Sequence, residues 1–328
     1  MKRVVVTGSI ATDHLMTFPA RFADQLIADK LARVSLSFLV DRLDVRRGGV
    51  AANIAFGLGC LGMSPVLVGA VGADFTDYSA WLRLHRVDTR FVHVSKTLHT
   101  ARFLCTTDIE QNQIASFYAG AMSEAREIEL SPIVDRLESL ELVLIAPNDP
   151  AAMLRHTEEC RARGFGFAAD PSQQLARMSA EDLRTLISGA RYLFTNEYEH
   201  ALLLAKTGYA EDDVLTRVGA WITTLGAAGV QVRRAGAAPI SVDAIPPVAV
   251  VDPTGAGDGF RAGFLYGVVS RLPAERAVQL GCLVATSVLE TMGTQEYLLD
   301  RNVLSKRAAA AYGADAAAEI ESVLRIWW

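Results

Sequence analysis

Short apolar runs recur along the chain, and between them apolar residues recur at helical spacing. The runs that predict buried strands cover residues 4–6, 66–69, 142–145, 166–169, 192–194, 221–226 and 230–232. Helical spacing predicts helices over residues 50–61, 150–163, 180–187 and 197–206, then from residue 260 onward, with three more closing the chain. Because continuously apolar strands are typical of parallel sheets, this alternation predicts an α/β fold with a doubly wound, mainly parallel sheet flanked by helices.

One region that breaks the alternation is residues 14–47. Apolar side chains alternate there with more polar ones, at Val34, Leu36, Phe38 and Val40. A second short run follows, so the pattern predicts a hairpin inserted after the first strand. A small insertion cannot easily bury an apolar strand face, so we expect it to form a lid or a contact between two copies of the chain.

A second β-rich region covers residues 96–119. Strand-like runs over 100–107 and 113–118 flank a polar stretch, and a hairpin centred on Glu110 places Phe103 directly opposite Phe117. Two interpretations remain open. The rings form a slot for a flat ligand, or they are an ordinary cross-strand core pair.

Composition indicates an ordinary globular protein. Residues 1–13, 48–95 and 120–328 suffice for one large α/β domain, with the two insertions as a small β-rich lid. The net charge of −5 and the pI near 5.7 argue against a nucleic acid or an anionic membrane as the main partner. The four cysteines and six histidines show no metal-ligand spacing. Residues 48–73 are uncharged but rich in glycine, so no membrane span is predicted and a cytoplasmic location is expected.

The segment DPTGAGDGFRAG, residues 252–263, combines a glycine-rich loop with the start of a helix, for which Thr254 is the predicted N-cap. Helix-initiating amides at Gly255, Ala256 and Gly257 predict an anion site. Asp258 beside such a site makes chemical sense if a base must take a proton from a hydroxyl that attacks a phosphate. The alternative is a simple glycine-rich turn with a solvated carboxylate.

A second glycine pattern, GLGCLG at residues 57–62, matches the dinucleotide fingerprint G-x-G-x-x-G. Its glycines lie within a predicted helix and precede a strand, whereas the fingerprint needs them between a strand and a helix. We therefore predict close helix packing here and no NAD site.

Polar side chains also follow, or lie near, the carboxyl ends of several predicted strands, where open α/β sheets bind ligands. They are Asp13, Asn53, Asp170, Asn196, Thr224 and Asp258.

Three motifs, GGVAAN at 48–53, NEYE at 196–199 and DPTGAGD at 252–258, resemble the signatures of the ribokinase (PfkB carbohydrate kinase) family, in the order found there. Within the family, segments at 6–14, 35–41, 99–103, 169–174 and 293–296 are similar to the actinobacterial type of adenosine kinase. The resemblance implies a ribokinase-like fold, with a nucleotide-binding catalytic domain that transfers the γ-phosphoryl group of ATP to the 5′-hydroxyl of adenosine, in purine salvage.

The resemblance also implies residue roles. Asp258 resembles the catalytic base, and Gly255, Ala256 and Gly257 resemble the anion hole. The residues implied in adenosine binding are Ser9, Asp13, Ser37, Gly49, Asn53, Phe103, Phe117, Gln173, Gln174 and Arg177, the last with a surface salt bridge as its alternative. Those implied in ATP binding are Asn196, Thr224, Gly226 and Gly229. Glu199 is implied in holding Mg²⁺ through water, K⁺ is a further candidate cation, and a homodimer through the lid strands is expected.

Two alternatives remain to this function. Sugar kinases share the three motifs, so a ribokinase- or fructokinase-like enzyme is one alternative. A non-catalytic nucleoside or nucleotide sensor is the other, although a binder has no need of a base at Asp258. The chain contains no G-x-x-x-x-G-K-S/T loop, so a P-loop kinase is not expected.

Overall fold

Strands and helices alternate through most of the chain in the computed structural model, which describes residues 3–25 and 35–326. In chain order the strands are β1 Arg3–Thr7, β2 Ala11–Thr17, β3 Arg42–Gly48, β4 Val66–Val68, β5 Ala70–Val71, β6 His93–Val94, β7 Ala101–Thr107, β8 Gln113–Tyr118, β9 Leu140–Ile145, β10 Phe167–Ala169, β11 Tyr192–Asn196, β12 Trp221–Thr224, β13 Val230–Arg233 and β14 Ile240–Val242. The α-helices are α1 Phe22–Gln25, α2 Val50–Cys60, α3 Thr76–Leu84, α4 Ser131–Val134, α5 Pro150–Arg163, α6 Ala180–Ile187, α7 Glu197–Thr207, α8 Glu211–Leu215, α9 Ala256–Val269, α10 Ala274–Leu289, α11 Arg301–Tyr312 and α12 Ala314–Val323.

The large sheet has the strand order β14-β13-β12-β11-β10-β9-β1-β4. Its strands run parallel from β4 to β12, and β13 and β14 add an antiparallel edge. The continuous apolar run of β1 is explained by burial on both faces, because Val5 packs into one hydrophobic cluster while Val4 and Val6 pack into the other. The predicted doubly wound α/β fold is confirmed.

Local caps fix where several helices begin. The Asp149 side chain accepts hydrogen bonds from the first-turn amides of α5, and Ser179 forms a reciprocal capping box with Asp182 at the start of α6. Both helices have the predicted bounds, 150–163 and 180–187.

Helix α2 is buried from Ala51 to Cys60 and packs closely on α9. A Cβ added at Gly57 would lie 2.7 Å from the Ala262 Cβ, so this glycine of the dinucleotide-like pattern serves helix packing, as predicted.

A second, smaller sheet has the order β3-β2-β7-β8 and is called here the small sheet. Strands β7 and β8 form the predicted hairpin, with Phe103 paired to Phe117. Strand β2 begins at Ala11 and pairs antiparallel with β3, so the partner of β3 is β2 and not the strand expected at residues 34–40.

The strand expected over residues 34–40 is wrong for residues 35–40, which form no regular element; Val34 lies outside the described residues. Phe38 instead packs against Phe18 and Phe22, with ring centroids 5.0 Å away in each case. In this segment Phe38 therefore belongs to an aromatic cluster with Phe18 and Phe22 and not to one face of a strand.

Several short elements were not predicted, among them β5, β6, β14 and helix α3. Among the described residues, no helix is long and apolar enough to cross a membrane.

Candidate active site

Asp258 lies in the first turn of α9, at the carboxyl edge of the large sheet. The helix begins after Gly255, whose φ of 80° is in the left-handed region, and a Cβ there would lie 2.9 Å from Thr294. The Ala256 amide makes a long hydrogen bond of 3.3 Å to the Pro253 carbonyl. The amides of Gly255 and Gly257 make no hydrogen bond with any described residue, so they remain available to an anion.

The predicted Thr254 cap is wrong, because Gly255 occupies the N-cap position and no side chain caps the helix. The Asp252 side chain instead shapes the loop. Its Oδ1 accepts from the Thr254 amide at 2.9 Å, and its Oδ2 accepts from the Gly293 amide at 3.0 Å. The loop is thus tied to the segment that contains Thr294.

Asn53 connects α2 to the Asp258 carboxylate. Its Nδ2 donates to Asp258 Oδ2 at 2.8 Å, while its Oδ1 accepts from Thr294 Oγ1 and Gln295 Nε2, each at 2.9 Å. Gln295 also donates to the Tyr78 hydroxyl, which donates to the Gly48 carbonyl at 2.8 Å. This network fixes the amide of Asn53 so that its donor faces Asp258.

Burial raises the pKa of Asp258 to about 7, and the Asp170 and Asp13 carboxylates add to the rise. The hydrogen bond from Asn53 and the positive charge of Arg261 act in the opposite direction. A carboxyl whose pKa is close to neutral is well matched to general-base work at physiological pH.

Behind this carboxylate, Arg261 and Asp170 form a buried ion pair. Arg261 Nε lies 2.6 Å from Asp170 Oδ2, and Arg261 Nη2 donates to Asp170 Oδ1 at 2.7 Å. Sequence reasoning gave Arg261 no role, although it lies within the glycine-rich motif.

A cavity of about 90 Å³ lies between the small sheet and the loop before α9. It is lined by Asp13, Leu15, Arg46, Arg47, Phe103, Asp252, Thr254, Gly293 and Thr294. The Asp13 carboxylate makes no hydrogen bond with any other described residue, and burial together with the nearby Asp252 raises its pKa to about 6. A free, partly buried acceptor in a cavity is suited to binding hydroxyl groups.

Phe103 lines this cavity, and Phe117 faces the same side of the small sheet. Phe117 is 50% exposed, so the two rings are not a buried core pair. The structure therefore favours a surface that can receive a flat group over the core alternative.

Three other residues predicted to bind the substrate, Ser9, Gly49 and Ser37, do not line this cavity. Ser9 is buried and accepts from the Val50 amide, which caps α2, and Gly49 takes a φ of 91° close to the Ser9 carbonyl. Ser37 is exposed on the irregular segment 35–40.

Gln173, Gln174 and Arg177 lie on a turn after β10. Gln174 is buried and its Oε1 has no hydrogen-bond partner, while Gln173 is exposed. Arg177 is exposed and forms no ion pair with a described residue.

The predicted ATP residues lie on the neighbouring strand ends. Asn196 and Glu199 form a capping box on α7, where Asn196 Oδ1 accepts from the Glu199 amide at 2.7 Å and Glu199 Oε2 accepts from the Asn196 amide at 2.8 Å. Thr224 pairs with Asn196 in the sheet. Gly226 and Gly229 both have positive φ and form the turn between β12 and β13.

No group of three or more acidic, histidine or cysteine side chains within the described ranges could hold a metal ion. Magnesium in phosphoryl-transfer sites is typically held by one or two carboxylates together with substrate phosphates and water. The capping box engages one oxygen of Glu199, so its carboxylate fits that water-mediated role.

These parts define a class of protein. A glycine-rich helix start and an adjacent carboxylate of raised pKa, at the strand ends of a doubly wound sheet, suit phosphoryl transfer to an alcohol, the reaction of ATP-dependent phosphotransferases with an alcohol acceptor. The family model described as pfkB family carbohydrate kinase matches residues 1–301. The chain therefore belongs to the PfkB family, as its three motifs predicted.

Similar proteins include nucleoside kinases. The chain is 29% identical to the nucleoside kinase of Methanocaldococcus jannaschii over 303 aligned residues. The aligned region covers 91% of this chain and 94% of that protein. The structure of Burkholderia thailandensis nucleoside kinase in complex with inosine is similar at a TM-score of 0.82 and 32% identity, over 94% of this chain and 98% of that one. The complex of the same kinase with ADP and inosine gives a TM-score of 0.80 at 33% identity, over 94% and 96% of the two chains. The ribokinase-like fold is confirmed.

Proposed function

We propose that this protein is an adenosine kinase, which transfers the γ-phosphoryl group of ATP to the 5′-hydroxyl of adenosine and releases AMP and ADP. The observation that carries the proposal is the cavity that combines Asp13 with the aromatic face of Phe103, next to the loop that starts α9. Asp13 is suited to ribose hydroxyls and Phe103 to a flat base. The nucleoside kinases named above support a nucleoside as the acceptor.

The reaction assigns a task to each group at the start of α9. Asp258 takes the proton of the 5′-hydroxyl as the oxygen attacks the γ-phosphorus. The bond between that phosphorus and the oxygen bridging to the β-phosphate breaks, and ADP leaves. The Gly255 and Gly257 amides, with Ala256 after loss of its long bond, stabilise the charge of the transferring group.

On the donor side, Asn196, Thr224, Gly226 and Gly229 bind ATP in this proposal, and Glu199 holds Mg²⁺ through water. The bound metal neutralises phosphate charge. A requirement for K⁺ and a cytoplasmic location stay predictions. AMP formation from adenosine would place the enzyme in purine salvage.

We also propose a homodimer through the small sheet. Its outer face, opposite Phe103, exposes four large apolar side chains, Leu43, Val45, Ile114 and Tyr118. A symmetric pairing of two such faces would remove them from water. The homodimer was expected from an apolar strand at residues 34–40, and these four exposed side chains now support it instead.

An assay of ADP release over adenosine, inosine, cytidine, ribose and fructose tests the substrate class. The proposal requires adenosine to have the highest kcat/KM of the five acceptors, and both sugars to fall below the nucleosides because stacking on Phe103 is typically worth about 1–3 kcal/mol. A higher kcat/KM for inosine or cytidine would overturn the choice of adenosine while keeping a nucleoside as the acceptor. If ribose or fructose has the highest kcat/KM, the sugar-kinase alternative is correct. Release of ADP with none of these acceptors would favour the sensor alternative.

A further inference from the structure

The Asp170–Arg261 ion pair has no part in the chemistry proposed above, although it is the most deeply buried ion pair near the site. The Asp170 side chain is 0% exposed and that of Arg261 is 8% exposed. Desolvation of two charges offsets most of their attraction, so a buried pair is weak evidence for stability alone. Its position relative to α9 suggests another role.

Arg261 reaches back along its own helix toward the reacting groups. Its Nη1 donates to the Gly257 carbonyl at 3.1 Å, and a Cβ added at Gly257 would lie 3.0 Å from the same nitrogen. The guanidinium carbon also lies over the Phe194 ring, 5.4 Å from its centroid. One side chain thus joins the end of β10, strand β11 and the first turn of α9.

We propose, resting on the kinase function above, that Asp170 and Arg261 are positioning residues that hold the first turn of α9 in place for phosphoryl transfer. One hydrogen bond from Nη2 and the close charge contact at Nε let the planar guanidinium fix both distance and orientation between the end of β10 and the helix. The Gly257 amide and the Asp258 carboxylate move with the Gly257 carbonyl that Arg261 holds. Small displacements of such groups cost turnover more than binding.

The pair also contributes opposite charges to the surroundings of Asp258. The titratable or charged side chains near Asp258 are Arg261, Asp170, Asp13 and Tyr297. Glu199 is a further carboxylate near Asp170. Loss of the Arg261 charge should raise the pKa of Asp258, and loss of the Asp170 charge should lower it. These shifts report only the charges of the pair, so its hold on the first turn of α9 is measured separately through kcat and amide exchange.

Three variants separate position from charge. Arg261→Lys keeps the charge but lacks the planar fork, so kcat should fall about 10- to 100-fold with KM for adenosine within about 3-fold and the pH midpoint unchanged. Arg261→Gln should move the acidic limb of the kcat/KM profile to higher pH. Asp170→Asn, which can still accept one hydrogen bond, should move the limb to lower pH.

Arg184→Gln is the control, because Arg184 is an exposed residue on α6 whose guanidinium donates to the Thr207 carbonyl outside the site. Its thermal midpoint can be compared with those of the Arg261 variants. It should leave the pH midpoint and KM unchanged.

Amide hydrogen exchange over residues 254–260 gives a readout that needs no substrate. Exchange should rise in Arg261→Lys and Arg261→Gln and stay at the wild-type level in Arg184→Gln. If the wild type phosphorylates no nucleoside, the proposed function fails, and this exchange result still decides the positioning role. Unchanged exchange in both Arg261 variants, or a wild-type kcat in Arg261→Lys, would overturn the inference.

Discussion

The change Asp258→Asn tests the proposed base most simply. Asparagine has nearly the same shape, and its carbonyl oxygen can still accept the 2.8 Å hydrogen bond from Asn53 Nδ2. The start of α9 should therefore keep its geometry while the proton acceptor is lost. We expect kcat to fall roughly 10²–10⁴-fold, the usual contribution of a positioned general base, with affinities for adenosine and ATP changed by less than about 3-fold.

The same variant carries a stability prediction of definite sign. The pKa of Asp258 is raised to about 7 by burial, so the folded state binds this proton more tightly than the unfolded state does. Its ionisation therefore costs stability progressively as pH rises from about 4 to about 7, and the cost is constant above that. At pH 8, Asp258→Asn should be more stable than the wild type, by at most about 4 kcal/mol.

Three measurements check these expectations: kcat from pH 5 to 9, calorimetric binding of each substrate, and thermal midpoints at pH 5 and 8. The wild-type rate should rise with pH through about 7. The matched control is Asp300→Asn, which alters the N-cap carboxylate of α11 and should leave kcat unchanged. Near-wild-type turnover in Asp258→Asn would refute the assignment of the base.

Three further expectations concern the metal, the aromatic face and assembly. Glu199→Ala should raise the magnesium concentration needed for half-maximal rate and leave KM for adenosine unchanged. The capping-box control Asp182→Ala should leave the magnesium dependence unchanged, and the same magnesium dependence in both variants would mean that Glu199 only caps its helix. Phe103→Ala should weaken adenosine binding about 10- to 100-fold and leave ATP affinity and the thermal midpoint unchanged. If adenosine affinity, ATP affinity and the thermal midpoint all fall together, the ring has a structural role only. Sedimentation at micromolar concentration should show a dimer, and Val45→Glu should shift it to a monomer; a wild-type monomer would contradict the small-sheet interface.

The sequence predicted the parts of the fold that local chemistry determines. Helices α5 and α6 have the predicted bounds because Asp149 and Ser179 cap their own first turns. The strands of the large sheet could be predicted because burial on both faces requires continuous apolar runs. The opposition of Phe103 and Phe117 follows from the symmetry of a hairpin.

What could not be predicted depends on contacts between distant residues. The alternation before Asp41 is typical of a strand, but Phe38 packs with Phe18 and Phe22 from another part of the chain. Arg261 looked like any helical arginine, since its partner Asp170 follows β10 and lies far away along the chain. Two-residue strands such as β5 are too short to carry a periodic pattern.

In the candidate site, too, the sequence predicted individual residues but not the contacts between distant ones. The motifs indicated Asp258 and Asn53, but not the 2.8 Å hydrogen bond that joins them across the fold. Thr294 and Gln295 lie in a segment without regular structure, and they gain a role through Asn53. The family resemblance was the signal for that segment, since its local pattern gave none.

The central claim is that a nucleoside 5′-hydroxyl receives the γ-phosphoryl group of ATP, with Asp258 as the base. The most direct test incubates the wild type and Asp258→Asn with adenosine and ATP containing ³²P in the γ position, and separates the labelled products. The account predicts labelled 5′-AMP, formed in equal amount with ADP by the wild type and at least about 10²-fold more slowly by the variant. Label on ribose but not on adenosine when both are supplied, or equal 5′-AMP formation by the two proteins, would contradict it.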